Sequence, residues 1–240
     1  MYDLLSRVRY SEINRDKTLD LSSIINYFQD CSTFQSEDAG VGIEYLEARH
    51  RLWVMNAWQI VIYRYPRLFE EIRVSTWPYD FQSMYGYRNF TIRDSSGQLL
   101  AAANSIWINM DTLTHRPVRI TEEDTSAYQL EERLDMEYAP RKITLPDTYI
   151  KAEPFLVVPS NIDTNNHVNN GQYIRMAENY LPADFNIGQM RAEYRRSAVL
   201  GDSITPLIHV DDSVCTIILA DGTDSPYAVV EFLKKGNTKC

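Results

Sequence analysis

Residues 160–170 place an aspartate, an asparagine and a histidine, Asp163, Asn165 and His167, at i, i+2 and i+4. In an extended segment that spacing turns all three side chains to one side, where they can converge on one ligand. The set suits proton transfer. A neutral imidazole, with an ordinary pKa of about 6.5, takes a proton from water; a carboxamide holds an oxygen; a carboxylate orients a neighbour or steadies an imidazolium. Five of these eleven residues are asparagines, more than a turn requires. Immediately downstream, the amphipathic segment 171–181, stopped by Pro182, reads as a short helix capped by Asn169 or Asn170. Its first free N–H groups would offer partial positive charge to a developing oxyanion. Taken alone, the same residues also fit a plain turn and cap.

These groups need a scaffold, and most of the chain reads as strand. Segments 53–65, 71–79, 83–94 and 99–110 are rich in β-branched and aromatic residues, with a hairpin turn at Asp94–Gly97. Ahead of them Asp20 is placed to cap a helix, in which Ile24, Ile25, Phe28, Cys31 and Phe34 recur at helical spacing up to a break near Gly40. The second half repeats this order in fewer residues. A strand at 151–158 and the short helix are followed by strands at 190–196, 203–211, 213–220 and 227–235, with Asp221-Gly222 turning the last hairpin. Laying Ser11 on Ser160 without gaps puts Ile13 on Ile162, Ile25 on Ile174 and Gln29 on Glu178. An internal duplication is therefore expected, divided as residues 1–145 and 146–240.

One helix cannot bury its apolar stripe alone, and an antiparallel sheet has one face to cover. The expected fold is α+β: a tandem, or double, hotdog in which each repeat is a curved antiparallel sheet wrapped around a helix, with the two sheets extending into one another. The repeats differ in chemistry. Asp163, Asn165 and His167 fall on Asn14, Asp16 and Thr18 of the first repeat, whereas all four tryptophans, at 53, 58, 77 and 107, lie in the first half. The first repeat thus carries more bulky apolar surface, suited to wall a pocket, and the second is expected to carry the reacting groups.

Residues 161–174 resemble the signature of acyl-acyl carrier protein thioesterases, the plant and bacterial enzymes that release fatty acids from their carrier. Further likeness runs through Trp53-Val-Met to Arg67, Val74–Trp77, Ser105–Asn109 and Glu193-Tyr-Arg-Arg196, and covers nearly the whole chain. The resemblance implies a tandem hotdog fold. It implies that Asp163, Asn165 and His167 are catalytic, and that an acyl carrier protein with a phosphopantetheine-linked acyl chain is the partner. In plant members an acidic residue and a cysteine follow the Glu-Tyr-Arg-Arg run; here those positions are Ser197 and Ala198. Glu193, of the same strand parity as Ser197, is a candidate to supply the carboxylate. An acyl-coenzyme A thioesterase, a hotdog dehydratase and a non-catalytic acyl-binding module are the alternatives.

Composition narrows the classes. A net charge of −9 argues against sequence-blind nucleic-acid binding, although Arg64, Arg67, Arg191, Arg195, Arg196, Lys234 and Lys235 could form local basic patches for an acidic carrier. Three cysteines, at 31, 215 and 240, have neither disulfide nor metal spacing. His50, His115 and His209 are scattered, and Gly40-Val-Gly-Ile lacks the third glycine of a dinucleotide loop. No cofactor or metal is expected. Neither a signal peptide nor a membrane span is readable, and a soluble cytoplasmic protein is the expectation.

Overall fold

The computed structural model describes residues 1–236, so Cys240 lies outside the described residues. The chain divides into two compact units, one of residues 1–56 and 62–136, the other of residues 57–61 and 137–240.

In the first unit β1 (Tyr2–Arg7) leads to α1 (Leu21–Asp38), a short α2 (Ile43–Ala48) and then β2 (Arg51–Ile62), β3 (Glu71–Gln82), β4 (Tyr85–Asp94) and β5 (Leu99–Asp111). A two-residue β6 (Arg116–Pro117) pairs with β5, and α3 (Glu122–Thr125) follows. The sheet is antiparallel in the order β1-β3-β4-β5. α1 starts where expected, because the Asp20 carboxylate accepts the Ser23 N–H at 2.6 Å. Its stripe of Ile24, Ile25, Phe28 and Cys31 is fully buried on β1 and β3, and Phe28 meets Phe90 of β4 at 5.0 Å between ring centroids. Phe34, spaced for that stripe, is 44% exposed. At this end the helix turns Ser32 and Gln35 to the sheet instead, the latter accepting from Arg88 of β4.

The second unit contains β7 (Ile150–Lys151), β8 (Phe155–Leu156), α4 (Asn170–Glu178), β9 (Ile187–Tyr194), β10 (Ser203–Val210), β11 (Val214–Ala220) and β12 (Pro226–Lys234). Residues 57–61 of β2 pair with β9, and the order continues β9-β12-β11-β10-β7, all antiparallel. α4 packs on β11 and β12 and buries Tyr173, Ile174, Met176 and Ala177. Two expectations need correction. The strand expected at 151–158 is only two short pieces, β7 and β8, on either side of Pro154, which has no N–H for a ladder. The helix expected over 171–181 runs from Asn170 to Glu178 and its last three expected residues form turns, the backbone unwinding before Pro182.

The duplication is legible atom by atom. Each repeat enters its helix through a 3-10 turn, Tyr10–Glu12 or Pro159–Asn161. A tight loop follows, closed by the bridge Ile13↔Leu19 or Ile162↔Val168. Lys17 and Asn166 occupy matching positions, both with φ of 60°. The Asp20 N–H donates to Glu12 O at 3.0 Å, and the Asn169 N–H to Asn161 O at 2.9 Å. Sheet order, covering helix and repeated loop together make this a double hotdog. Among the described residues no helix is long and apolar enough to cross a membrane.

Candidate active site

Asp163, Asn165 and His167 occupy the loop just described, and its geometry departs from an extended segment. Asn166 in the left-handed region turns the chain back, so that the Asp163 N–H donates to His167 O at 2.8 Å and the Asn166 N–H to Asp163 O at 3.1 Å. The Asp163 carboxylate accepts two backbone donors of the same loop, Asn165 N–H at 2.8 Å and His167 N–H at 3.3 Å. The three residues thus share a turn folded around one carboxylate, a side chain-to-backbone pattern typical of aspartate. Asp163 is half-buried, while the Asn165 and His167 side chains are exposed and open to a ligand.

The first repeat builds the same loop with other chemistry. There the Asn14 side-chain oxygen accepts from Asp16 N–H at 2.9 Å, Thr18 N–H at 3.2 Å and the Thr18 hydroxyl at 3.1 Å. An amide therefore suffices to hold the turn. The second copy exchanges the places of carboxamide and carboxylate, with Asp163 for Asn14 and Asn165 for Asp16, and adds the imidazole of His167 in place of Thr18.

α4 anchors the loop from behind. Asn169 is the cap, its side-chain oxygen accepting the Gly171 N–H at 2.9 Å. That N–H was expected to be free for an oxyanion, and the cap already satisfies it. Tyr194 of β9 donates to Asn170 O at 3.0 Å and its ring lies 5.8 Å from that of Tyr173. Burial pushes the Tyr173 phenol up to about 12, so at neutral pH it keeps its proton; its oxygen accepts the Ala198 N–H at 2.8 Å. Ala198 O in turn accepts the Val168 N–H at 2.9 Å. These bonds hold the exposed Ser197 on a segment tied to the His167 loop. Sequence reasoning missed the two tyrosines. For Tyr194 the available signal was parity, since it follows Ala192 and Met190 on the buried face of β9.

Glu193 is placed differently. Successive residues of a strand point to opposite faces, so with Tyr194 against α4, Glu193 points away from that helix. It is 6% exposed and its carboxylate accepts the Ile143 N–H and an Arg195 N–H, each at 3.0 Å. Burial alone would raise its pKa, but these two donors and the Arg195 charge bring it below the usual carboxylate range. The side chain joins the segment after residue 136 to β9, its hydrogen-bond partners being Ile143 and Arg195.

The first unit holds a cavity of about 220 Å³ walled by Leu46, Leu52, Trp53, Phe81, Trp107 and Tyr128. Of the four tryptophans expected as a wall, Trp53 and Trp107 face it. Trp77 instead donates to Glu132 O at 2.9 Å, and Trp58, 2% exposed, lies in the piece of β2 that belongs to the second unit. Gly86 also lines the cavity, and a Cβ there would stand 3.2 Å from Trp53 and Phe81. The expected basic patches are largely neutralised. Arg64 pairs with Glu70, Arg191 with Glu231, Arg195 with Glu193, Arg196 with Asp221 and Lys234 with Asp184.

The fold and the duplicated loop define a double hotdog protein whose second copy alone places an exposed histidine in that loop. Residues 2–128 match the model of the acyl-ACP thioesterase N-terminal domain and residues 146–225 that of the C-terminal domain, and the chain belongs to this family. It is 25% identical to a chloroplastic palmitoyl-acyl carrier protein thioesterase of Arabidopsis thaliana over 96% of its own length and 63% of the relative's. A chloroplastic palmitoyl-acyl carrier protein thioesterase of Gossypium hirsutum is 26% identical over 86% and 54%. The chain thus spans a little over half the length of these relatives. Among solved structures, a putative oleoyl thioesterase from Lactobacillus plantarum matches with TM-score 0.84 and 27% identity over 96% of this chain and 94% of that one. An acyl-ACP thioesterase from Bacteroides thetaiotaomicron shares the fold, with TM-score 0.88 and 19% identity over 96% of each chain.

Proposed function

We propose that the protein hydrolyses the thioester of a fatty acyl chain carried on acyl carrier protein, giving the free fatty acid and the carrier thiol. One observation carries this reading: the 163–167 loop repeats the 14–18 loop in backbone and differs from it in placing an exposed carboxamide where the first has the Asp16 carboxylate and an exposed imidazole where the first has Thr18. In the reaction, His167 takes a proton from water as the water oxygen bonds to the thioester carbonyl carbon. Asn165 donates from its amide to the oxygen that becomes negative. The tetrahedral species collapses with cleavage of the C–S bond, and the departing sulfur takes the proton from the imidazolium. Asp163 holds the loop that presents both groups, and its charge favours the imidazolium. Glu193 is assigned to anchoring β9. The cavity of the first unit takes the acyl chain, in agreement with its apolar walls. The carrier protein is the proposed partner and the cytoplasm the proposed compartment, the latter because the cysteines show no disulfide spacing.

The test is release of thiol and fatty acid from acyl-carrier protein and from the matching acyl-coenzyme A, by wild type and by His167→Ala. Faster turnover of the carrier-bound substrate, lost in the variant, is the expected result. Preference for the coenzyme would move the assignment to an acyl-coenzyme A thioesterase, and equal release by wild type and variant would remove His167 from the chemistry.

A further inference from the structure

The cavity of the first unit has one property that an alkyl chain does not need. Among its apolar and aromatic walls lies Arg88 of β4, only 8% exposed. Its Nη1 donates to the Gln35 side-chain oxygen and to the Thr76 hydroxyl, the latter at 3.2 Å, and its guanidinium carbon sits 5.6 Å from the Tyr128 ring centroid. Every one of these partners is formally neutral. Among the described residues no carboxylate pairs with Arg88, and no acceptor takes the hydrogens of its Nε and Nη2.

Nε and Nη2 retain accessible surface, so these edges of the fork face the cavity and not closed protein. Buried arginines are ordinarily paired, because a guanidinium taken out of water must recover its hydration from an anion or a full set of acceptors. Burial draws the Arg88 pKa down to about 10, which still leaves the group charged at neutral pH. Two edges of the guanidinium fork are therefore unfilled, in a cavity larger than the roughly 150 Å³ that suffices for a benzene-sized guest. A carboxylate is the group whose two oxygens match the fork. Leu46, Leu52, Trp53, Phe81 and Trp107 offer hydrocarbon contact behind that carboxylate, with Ser32, Thr33 and Ser36 of α1 also on the cavity lining.

We propose that this cavity binds an apolar chain that ends in a carboxylate, with Arg88 as the residue that holds and selects that end. Two sources offer this chemistry: an acyl thioester whose far end is oxidised to a second carboxylate, and a free fatty acid that enters carboxylate first. The inference deepens the proposal that the cavity takes the acyl chain, and for its thioester arm it rests on that proposal.

Calorimetric titration of the full chain with decanoate and with decan-1-ol, followed in parallel by tryptophan fluorescence from the cavity wall, tests the binding directly. Wild type is expected to bind decanoate about tenfold or more tightly than the alcohol, the scale of a charge-assisted fork. Arg88→Gln should bring decanoate down to the alcohol's level while leaving the alcohol unchanged, and Arg88→Lys should keep part of the preference. Gly86→Ala, which narrows the cavity, should weaken both ligands. Equal affinity for the two ligands in wild type, or undiminished decanoate binding by Arg88→Gln, overturns the proposal; the wild-type comparison decides even where a variant folds poorly. Hydrolysis of decanoyl-pantetheine and of its ω-carboxylated analogue separates the sources. A preference for the analogue that Arg88→Gln abolishes supports the substrate's far end, whereas competition by decanoate without such a preference supports the free acid. Absence of all hydrolysis would sink the thioesterase reading and leave the binding result standing.

Discussion

The twin loops allow the structural and chemical duties of Asp163 to be separated. Asn14 performs the loop-holding task in the first repeat with an amide, so Asp163→Asn should preserve the turn, with a stability change below about 0.5 kcal/mol, and remove only the charge. Asp163→Ala removes the acceptor for two backbone N–H groups and should cost about 1–3 kcal/mol. Turnover per folded molecule therefore reports the charge alone in the first variant and charge and loop together in the second. A fall in kcat with Asp163→Asn assigns the carboxylate to the chemistry; an unchanged kcat confines it to the turn. His167→Ala and Asn165→Ala should each lower kcat by about 10²–10³-fold without moving the melting temperature, since both side chains are exposed and make no fold contact that truncation would break. The residue types and their spacing were legible in the sequence. The turn that gathers them was not, because period-two spacing reads as extended chain and the left-handed Asn166 is visible only in the backbone.

Elements with a strong period were legible and short ones were not. α1 shows a cap and a long stripe, and the strands of both sheets alternate or run apolar, so each was placed within a few residues. α2 was missed because it buries no residue and is too short for a period; it is stabilised by the Glu37 carboxylate, which accepts the Ile43 N–H at 2.8 Å. Glu193 shows how parity can mislead. Counting residues along β9 gave its face correctly relative to Ser197 only if the strand continued past Tyr194, and it does not. What the side chain does is join two elements, since the Ile143 it holds packs with Leu207, Ile218 and Val229. Glu193→Ala should cost about 1–3 kcal/mol, because it leaves the Ile143 N–H buried without an acceptor and Arg195 without its partner. Denaturant unfolding measures that loss, and kcat of the folded fraction should stay within about twofold. A hundredfold fall in kcat with the fold intact would return Glu193 to the active site.

For the whole chain the acid limb of stability follows from which carboxylates the fold holds ionised. Glu70 lies below the ordinary carboxylate range because Arg64 bonds and charges it. In Glu12 burial pushes upward, and the donors from Arg9 and Tyr27 outweigh it; Glu193 behaves likewise with Arg195 and Ile143. Asp111, Asp211 and Asp221 are lowered chiefly by the turn hydrogen bonds of Thr114, Ser213 and Thr223. A group whose pKa is lower folded than unfolded stabilises the fold fully above its unfolded value, and that stability is lost as pH falls through the folded value. Each of these groups thus acts in the same direction, downward from about pH 4, where an unfolded carboxylate titrates. Opposing them, acidification from neutrality first removes the net charge of −9 and relieves repulsion among distant acids. The local term prevails below the carboxylate range, because hydrogen-bonded neighbours lie well inside the roughly 8 Å screening length of physiological salt while distant acids do not. The melting temperature should accordingly be flat or rise slightly from about pH 7 to pH 5 and fall steeply below about pH 4. Added salt should flatten the first limb and leave the second. Glu70→Gln, which removes one of the coupled groups, should make the acid limb shallower; a melting temperature that climbs without a break down to pH 3 would show that charge repulsion, and not the held carboxylates, governs acid stability.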